Sequence, residues 1–178
     1  KSYTHWPIVK VFDVSDTGGE KLPSLNLETI SDNSQRAEEL YQSLKNTVQD
    51  SGIGFEEVEN IKASNALGVY YIRKGMIQVA TGKDNSRGEL FKTLAHEFGH
   101  ALYEDMFTRK HEGHSYAFEE CVVETSAMII SAKYALDIAP YDVSYVASWS
   151  RGDIQLYKSG LSKAATLAHK IISTLGEV

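Results

Sequence analysis

The stretch HEFGH places two histidines four residues apart, at His96 and His100, with Glu97 beside the first of them. At about 3.6 residues per helical turn, both imidazoles lie on one face of a helix and can reach the same ion. Zinc favours imidazole nitrogen, and in catalytic sites it lowers the pKa of a water molecule to about 7. Glu97 can act as the general base that removes this water's proton and later protonates a leaving amine. The motif therefore predicts a zinc centre suited to peptide-bond hydrolysis.

A third protein ligand is expected from a later helix, because the metal-facing side of the first helix already carries the two histidines. Three glutamates are candidates: Glu119, Glu120 and Glu124. Glu120 and Glu124 are four residues apart and share a helical face, so one can bind zinc while the other accepts the N–H of a ligand imidazole. We predict Glu120 as the ligand and Glu124 as the imidazole's acceptor, with Glu119 as the competing ligand.

A donor that stabilises the oxyanion of a tetrahedral intermediate is expected between the two helices that carry the ligands. His111, His114 and Tyr116 lie in this part of the sequence, and Tyr116 is the preferred donor. The alternative is that these are polar loop residues and an aromatic side chain at the edge of the core. Tyr116 is therefore predicted as a catalytic group beside Glu97.

The helices that must position these residues follow from hydrophobic periodicity. Apolar residues at helical spacing predict one helix from residue 34 to about residue 50, and a second helix, capped by Ser86, that carries HEFGH. A third helix is expected over roughly residues 116–135, and two further helical segments end near Leu175. The metal ligands are thus expected on the second and third helices.

Four short segments have the composition of strands, at residues 8–13, 55–58, 68–72 and 76–80, and residues 73–75 form a turn between the last two. Together with the helices they predict the α+β class, with a small and mostly antiparallel sheet packed on helices and a helical C-terminal part. We expect the segment 76–80 to form a sheet edge that holds an extended substrate by main-chain hydrogen bonds.

Length and composition predict a single domain over residues 1–178. The net charge of -6 opposes broad electrostatic contact with nucleic acid, and the sequence lacks a run of about 18 apolar residues that could cross a membrane. Cys121, the only cysteine, is expected to be a small buried hydrophobe, which favours a reducing, cytoplasmic location. Because the chain begins with Lys1 and lacks signal-peptide features, we expect it to be excised from a longer protein.

Three stretches carry a resemblance to a known family: TLAHEFGHAL at residues 93–102, YAFEECVVE at 116–124 and YVASW at 145–149. They are similar to the metallopeptidase domain of ArdC-type antirestriction proteins and to the LtrC-like proteins of conjugative elements. The sequence is more distantly similar to ImmA-type and IrrE-type regulatory metalloproteases. The resemblance covers residues 68–176 well and the first part of the chain only loosely.

The resemblance implies a zincin-like fold and zinc bound by two histidines and a glutamate, which correspond here to His96, His100 and Glu120. It also implies carriage on a mobile genetic element. ArdC-type proteins place a single-stranded-DNA-binding domain before the metallopeptidase domain, and this chain has no segment basic enough for that role. Contact with nucleic acid is therefore expected only through a preceding domain, and a protein or peptide substrate is the expected partner.

Three functions are compatible with the sequence. The first is a zinc peptidase that acts on an unidentified protein, and the position of Glu97 between the two histidines favours it. The second is an antirestriction, DNA-protection or interaction module whose zinc site is structural, in which Glu97 is dispensable. The third is a metal-independent helical binding domain. Iron, manganese or cobalt could occupy the same nitrogen and carboxylate ligands in place of zinc.

Overall fold

The computed structural model describes residues 32–62, 66–82, 85–107, 116–136 and 154–175. This part of the chain contains four α-helices and three strands: α1 (Gln35–Asp50), β1 (Gly54–Val58), β2 (Gly68–Tyr71), β3 (Met76–Ala80), α2 (Arg87–Phe107), α3 (Tyr116–Lys133) and α4 (Ile154–Leu175). The predicted α+β class is confirmed, and the three predicted helices are present and begin within one residue of the predicted positions. Within the described ranges, no helix has both the length and the apolar character needed to cross a membrane.

The three strands form one sheet in the order β1-β3-β2. Strand β3 pairs parallel to β1 and antiparallel to β2, so the sheet is mixed rather than mostly antiparallel. A short 3-10 helix, Ile72–Lys74, and Gly75 in the left-handed conformation (φ 55°) reverse the chain between β2 and β3. The expectation that residues 76–80 form the free edge is wrong, because β3 returns from this turn into the space between the other two strands.

Helix α1 begins where its sequence predicts. The side-chain oxygen of Ser34 accepts a hydrogen bond from the N–H of Ala37 at 3.1 Å, which satisfies one of the unpaired donors at the helix start. All of the apolar residues at helical spacing are buried: Ala37, Leu40, Tyr41, Leu44 and Val48. Helix α1 therefore packs on the core through its predicted face.

Helices α2 and α3 lie side by side and run antiparallel, since His100 pairs with Glu119 and Lys92, two turns earlier in α2, pairs with Glu124. Both helices contribute to one hydrophobic core that also includes residues of α1, β3 and α4. Cys121 is buried in α3, as predicted. The core fixes the two helices that the sequence analysis assigns to the metal ligands.

Some predicted features lie outside the described residues. These are the strand at residues 8–13, His111 and His114, the YVASW stretch at 145–149 and one of the two C-terminal helical segments.

Candidate metal centre

Helix α2 carries both histidines of HEFGH and begins at a capped N-terminus. The side-chain oxygen of Ser86 accepts a hydrogen bond from the N–H of Glu89 at 3.1 Å, which is the predicted cap. Apolar residues on the other sides of α2 are buried in the core: Leu90, Phe91, Leu94, Ala95 and Phe98. His96 and His100 are therefore held by a helix whose rotation and position are fixed by packing.

The structure brings His96, His100 and Glu120 together. The Nε2 atoms of the two histidines are 3.1 Å apart. The carboxylate of Glu120 faces both of them, with Oε2 at 3.6 Å from Nε2 of His96 and Oε1 at 3.5 Å from Nε2 of His100. One donor atom from each residue lies within 4.8 Å of the others. This set of two imidazole nitrogens and one carboxylate matches the donors that zinc takes in catalytic sites with three protein ligands.

The other ring nitrogen of each histidine is held by a carboxylate. Nδ1 of His96 lies 2.9 Å from Oε2 of Glu124, and Nδ1 of His100 lies 2.7 Å from Oε1 of Glu119. A neutral imidazole that donates from Nδ1 to a carboxylate has the lone pair of its Nε2 available for an ion. The structure thus places Glu124 against Nδ1 of His96, and it places Glu119, the competing ligand of the sequence analysis, against Nδ1 of His100.

The pKa values of His96 and Glu124 reflect their close contact. Burial disfavours the charged form of both groups, but their mutual hydrogen bond and attraction outweigh it. The pKa of His96 is raised by Glu124. The pKa of Glu124 is lowered to about 2 by His96 together with Lys92. Glu124 is therefore an ionised acceptor at neutral pH.

Glu97 lies between α2 and the edge of the sheet, with only 8% of its surface exposed. The main-chain N–H of Tyr70 donates a hydrogen bond to its carboxylate, while burial raises its pKa. A Cβ atom added to Gly68 would lie 2.7 Å from Cγ of Glu97 and 2.7 Å from Cγ2 of Thr93. A glycine in β2 thus makes room for the side chain that is predicted to be the general base.

A cavity of about 580 Å³ opens over these residues. Its walls come from β2, α2 and α3, and they include His96, Glu97, His100, Glu120 and Tyr116. Tyr116 is 69% exposed at the first turn of α3. The cavity therefore brings the predicted ligands, the predicted base and the predicted hydroxyl donor to one space.

Strand β2 has a free edge within the described part of the chain. The carbonyl of Leu67 accepts a hydrogen bond from the N–H of Ala80 at 2.7 Å, so the alternation of an antiparallel ladder turns the main-chain groups of Gly68 and Tyr70 away from β3. Residues 66–70 also line the cavity. The strand that borders the site is therefore β2, not the segment 76–80.

Lys92 is a residue of this site that the sequence analysis missed. Its Nζ lies 3.0 Å from Oε1 of Glu124, and it also lines the cavity. Its spacing could have indicated that it shares the face of the two histidines, since Lys92, His96 and His100 follow one another at intervals of four on α2.

Comparisons with known proteins agree with this architecture. The crystal structure of the antirestriction protein ArdC from the R388 plasmid, in its metal-free form, matches with a TM-score of 0.53 and 19% identity, over 82% of this chain and 52% of ArdC. The Mn(II)-bound structure of ArdC matches with a TM-score of 0.53 and 18% identity, over 83% of this chain and 54% of ArdC. The chain therefore spans about half the length of ArdC.

A comparison with curated protein sequences gave no match. The sequence profile of a family described as zincin-like metallopeptidase, MPTase-PolyVal, matches residues 46–167. This match covers more than half of the chain and includes both helices of the site, and the predicted zincin-like fold is confirmed. The chain belongs to the zincin-like metallopeptidase family.

Proposed function

We propose that this chain is a zinc-dependent peptidase domain that hydrolyses a peptide bond in a protein substrate. The observation that supports this most strongly is the convergence of His96, His100, Glu120 and the buried Glu97 on one cavity. A purely structural zinc site requires its ligands but does not require a carboxylate beside them in a space open to substrate. The position of Glu97 therefore favours catalysis.

In this proposal His96, His100 and Glu120 hold the ion. When bound, zinc would polarise the substrate carbonyl and acidify a water molecule. The donor set also accepts manganese, and one of the ArdC structures is Mn(II)-bound. Zinc is proposed because nitrogen and carboxylate sites generally bind it more tightly than manganese.

The protein's own groups carry the proton transfers. Glu97 takes the proton of the attacking water and passes it to the leaving amine, and the rise in its pKa caused by burial brings it closer to the pH at which it must do both. Tyr116 extends from the wall of the cavity and is proposed to donate its hydroxyl hydrogen to the oxyanion. We assign Glu97 and Tyr116 these roles within the cavity.

The free edge of β2 is proposed to hold the substrate. An extended peptide can pair with the outward main-chain groups of Gly68 and with the carbonyl of Tyr70, in the manner of an added strand. Because β2 also contacts Glu97 through the N–H of Tyr70, such a peptide would pass directly beside the base.

Replacing Glu97 by Gln tests the proposed reaction. We expect the variant to bind zinc like the wild type, because it keeps all three ligands, but to hydrolyse peptides about 100- to 10,000-fold more slowly, because the general base is gone. The measurement is zinc content together with cleavage of an unstructured protein such as casein. Equal cleavage by the variant would contradict the role of Glu97, and a zinc-loaded wild type without cleavage of any protein or peptide would favour a non-catalytic role.

The similarity to ArdC supports a second candidate, an antirestriction or DNA-protection module of a mobile element with a structural metal site. Since the chain spans about half of ArdC, antirestriction activity of the whole ArdC protein does not carry over directly, and we propose it for this chain separately from peptidase activity. Protection of plasmid DNA in a restricting host distinguishes the two candidates. If the module is non-catalytic, Glu97→Gln will protect as well as the wild type.

A further inference from the structure

Lys92 lies one turn before His96 on α2 and faces α3. Its Nζ is 3.0 Å from Oε1 of Glu124, whose other oxygen, Oε2, is 2.9 Å from Nδ1 of His96. The two oxygens of one carboxylate therefore have different donors on the same helix. A carboxylate that accepts hydrogen bonds at both oxygens cannot rotate freely. The contact of Lys92 with Glu124 therefore contributes to the orientation of the His96 ring.

The two carboxylates that hold the histidines differ in their surroundings. The side chain of Glu119 is 25% exposed, so water can solvate it. The side chain of Glu124 is 9% exposed, and that of Lys92 is 15% exposed. A buried carboxylate needs a charged donor in place of water, because an unpaired buried charge is costly. Lys92 supplies this donor to Glu124, the buried acceptor of His96.

We propose that Lys92 is a positioning residue of the metal centre, which orients His96 through Glu124. This inference rests on the metal site described under the proposed function. Lys92 contributes no ligand atom; it keeps Glu124 in the orientation in which Oε2 accepts from Nδ1 of His96 and Nε2 of that ring faces Glu120. The chain Lys92, Glu124, His96 thereby extends the centre one helical turn beyond HEFGH.

Zinc affinity of Lys92→Met tests the proposal. Methionine keeps much of the length of the side chain but removes the charge and the donor, so we expect zinc to bind about 10-fold more weakly, the lower end of what loss of a group behind a ligand causes. Affinity is measured by competition with a chromophoric chelator. The visible spectrum of the cobalt-loaded protein, which reports the arrangement of the ligands, should also change. Lys92→Arg, which keeps the charge, should restore most of the zinc affinity and most of the wild-type cobalt spectrum.

The matched control is Lys45→Met, which removes the lysine of another ion pair, Lys45 to Glu57 at 3.2 Å, on α1. This variant should bind zinc with unchanged affinity. If Lys92→Met does not fold, as judged by circular dichroism, Lys92→Gln takes its place, because its amide lacks the charge and ends one bond short of the lysine ammonium. Zinc affinity of Lys92→Met, or of Lys92→Gln in its place, equal to that of the control would overturn the proposal.

A double-mutant cycle identifies the route of the effect. If Lys92 acts through Glu124, then Lys92→Met should weaken zinc binding in the wild type and cause little further loss in a Glu124→Gln background. Losses that multiply would contradict the route through Glu124. A wild-type protein that binds no zinc would refute the metal centre itself, whereas a wild type that binds zinc with an unchanged Lys92→Met would refute only the role of Lys92.

Discussion

His96 and His100 each have one nitrogen held by a carboxylate and the other turned toward Glu120. The position of each ring therefore depends on a contact from α3 as well as on its own helix. Packing and hydrogen bonds of this kind hold ligands in place before an ion binds, which raises affinity because less ordering is needed. At the level of single residues, each histidine is thus oriented by a hydrogen bond to a glutamate of α3.

Gly68 is predicted to be required for the position of Glu97. In Gly68→Ala the new Cβ would fall 2.7 Å from Cγ of Glu97, and because Thr93 is equally close, the glutamate has to move. We expect kcat to fall about 100-fold, as for a catalytic group misplaced by about 1 Å, while zinc affinity stays close to that of the wild type. Peptide hydrolysis and zinc competition measure the two quantities.

Gly160→Ala is the control, because a Cβ at Gly160 would meet only ordinary contacts, the nearest at 3.5 Å from Sγ of Cys121. Normal kcat in Gly68→Ala would mean that Glu97 is not held by β2 in the active protein.

Helices α2 and α3 approach closely at Gly99, inside the HEFGH motif. A Cβ at this position would lie 2.9 Å from Cγ1 of Val123, which is one turn beyond Glu120 on α3. The glycine therefore allows α3 to come near enough for Glu120 to face both histidines. The separation of the two helices sets the width of the metal centre.

We predict that the effect of Gly99→Ala on stability depends on the residue at position 123. In the wild type the methyl group overpacks the contact with Val123, which costs about 1–3 kcal/mol and outweighs or cancels the gain in helix propensity of about 1 kcal/mol. With Val123→Ala the contact is relieved, so the same substitution should raise the free energy of unfolding by about 1 kcal/mol. Denaturant unfolding of the four proteins measures this, and equal effects in both backgrounds would show that the helices do not touch there.

The sequence predicted the parts of the molecule that depend on local spacing. The cap at Ser86, the apolar residues of α1 and the two histidines of α2 follow rules of helical periodicity, and the structure agrees with them. The contact between Glu119 and His100 could not be predicted in this way. Glu119 and Glu120 are consecutive and point about 100° apart on a helix, so whether both reach α2 depends on how the helices cross.

The order of the strands was also beyond local rules. The segments 68–72 and 76–80 have similar strand composition, and nothing in either says which one lies at the edge. That choice depends on β1, which pairs with β3 and leaves β2 exposed to the cavity. Tertiary pairing therefore decides which strand can meet a substrate.

As a whole molecule, the described chain has a hydrophobic core to which none of the proposed metal ligands belongs. Large side chains from α1, β3, α2, α3 and α4 are fully buried in it, among them Tyr41, Ile77, Phe91, Ile130 and Leu167. The metal ligands lie on the sides of α2 and α3 next to the cavity rather than in this core. Domains that need zinc to fold have small cores and are unfolded without it.

We therefore predict that the metal-free protein is folded and that zinc adds to its stability. At free zinc 100-fold above Kd the gain is about 2.7 kcal/mol, which corresponds to a rise in Tm of about 5–10 °C for a chain of this size. Circular dichroism before and after treatment with a chelator measures helix content and Tm. Loss of helix content on removal of the metal would instead indicate a structural zinc site, as in the second candidate function.

The central claim is a metal centre built from two helices, and metal content measures it most directly. Protein purified without a His-tag and without added metal should contain about one zinc per chain, the number that a single set of three ligands holds. Glu120→Ala should lose the ion, because it removes the only ligand contributed by α3. No bound metal in the wild type even after zinc is added, or equal zinc in Glu120→Ala, would contradict the account.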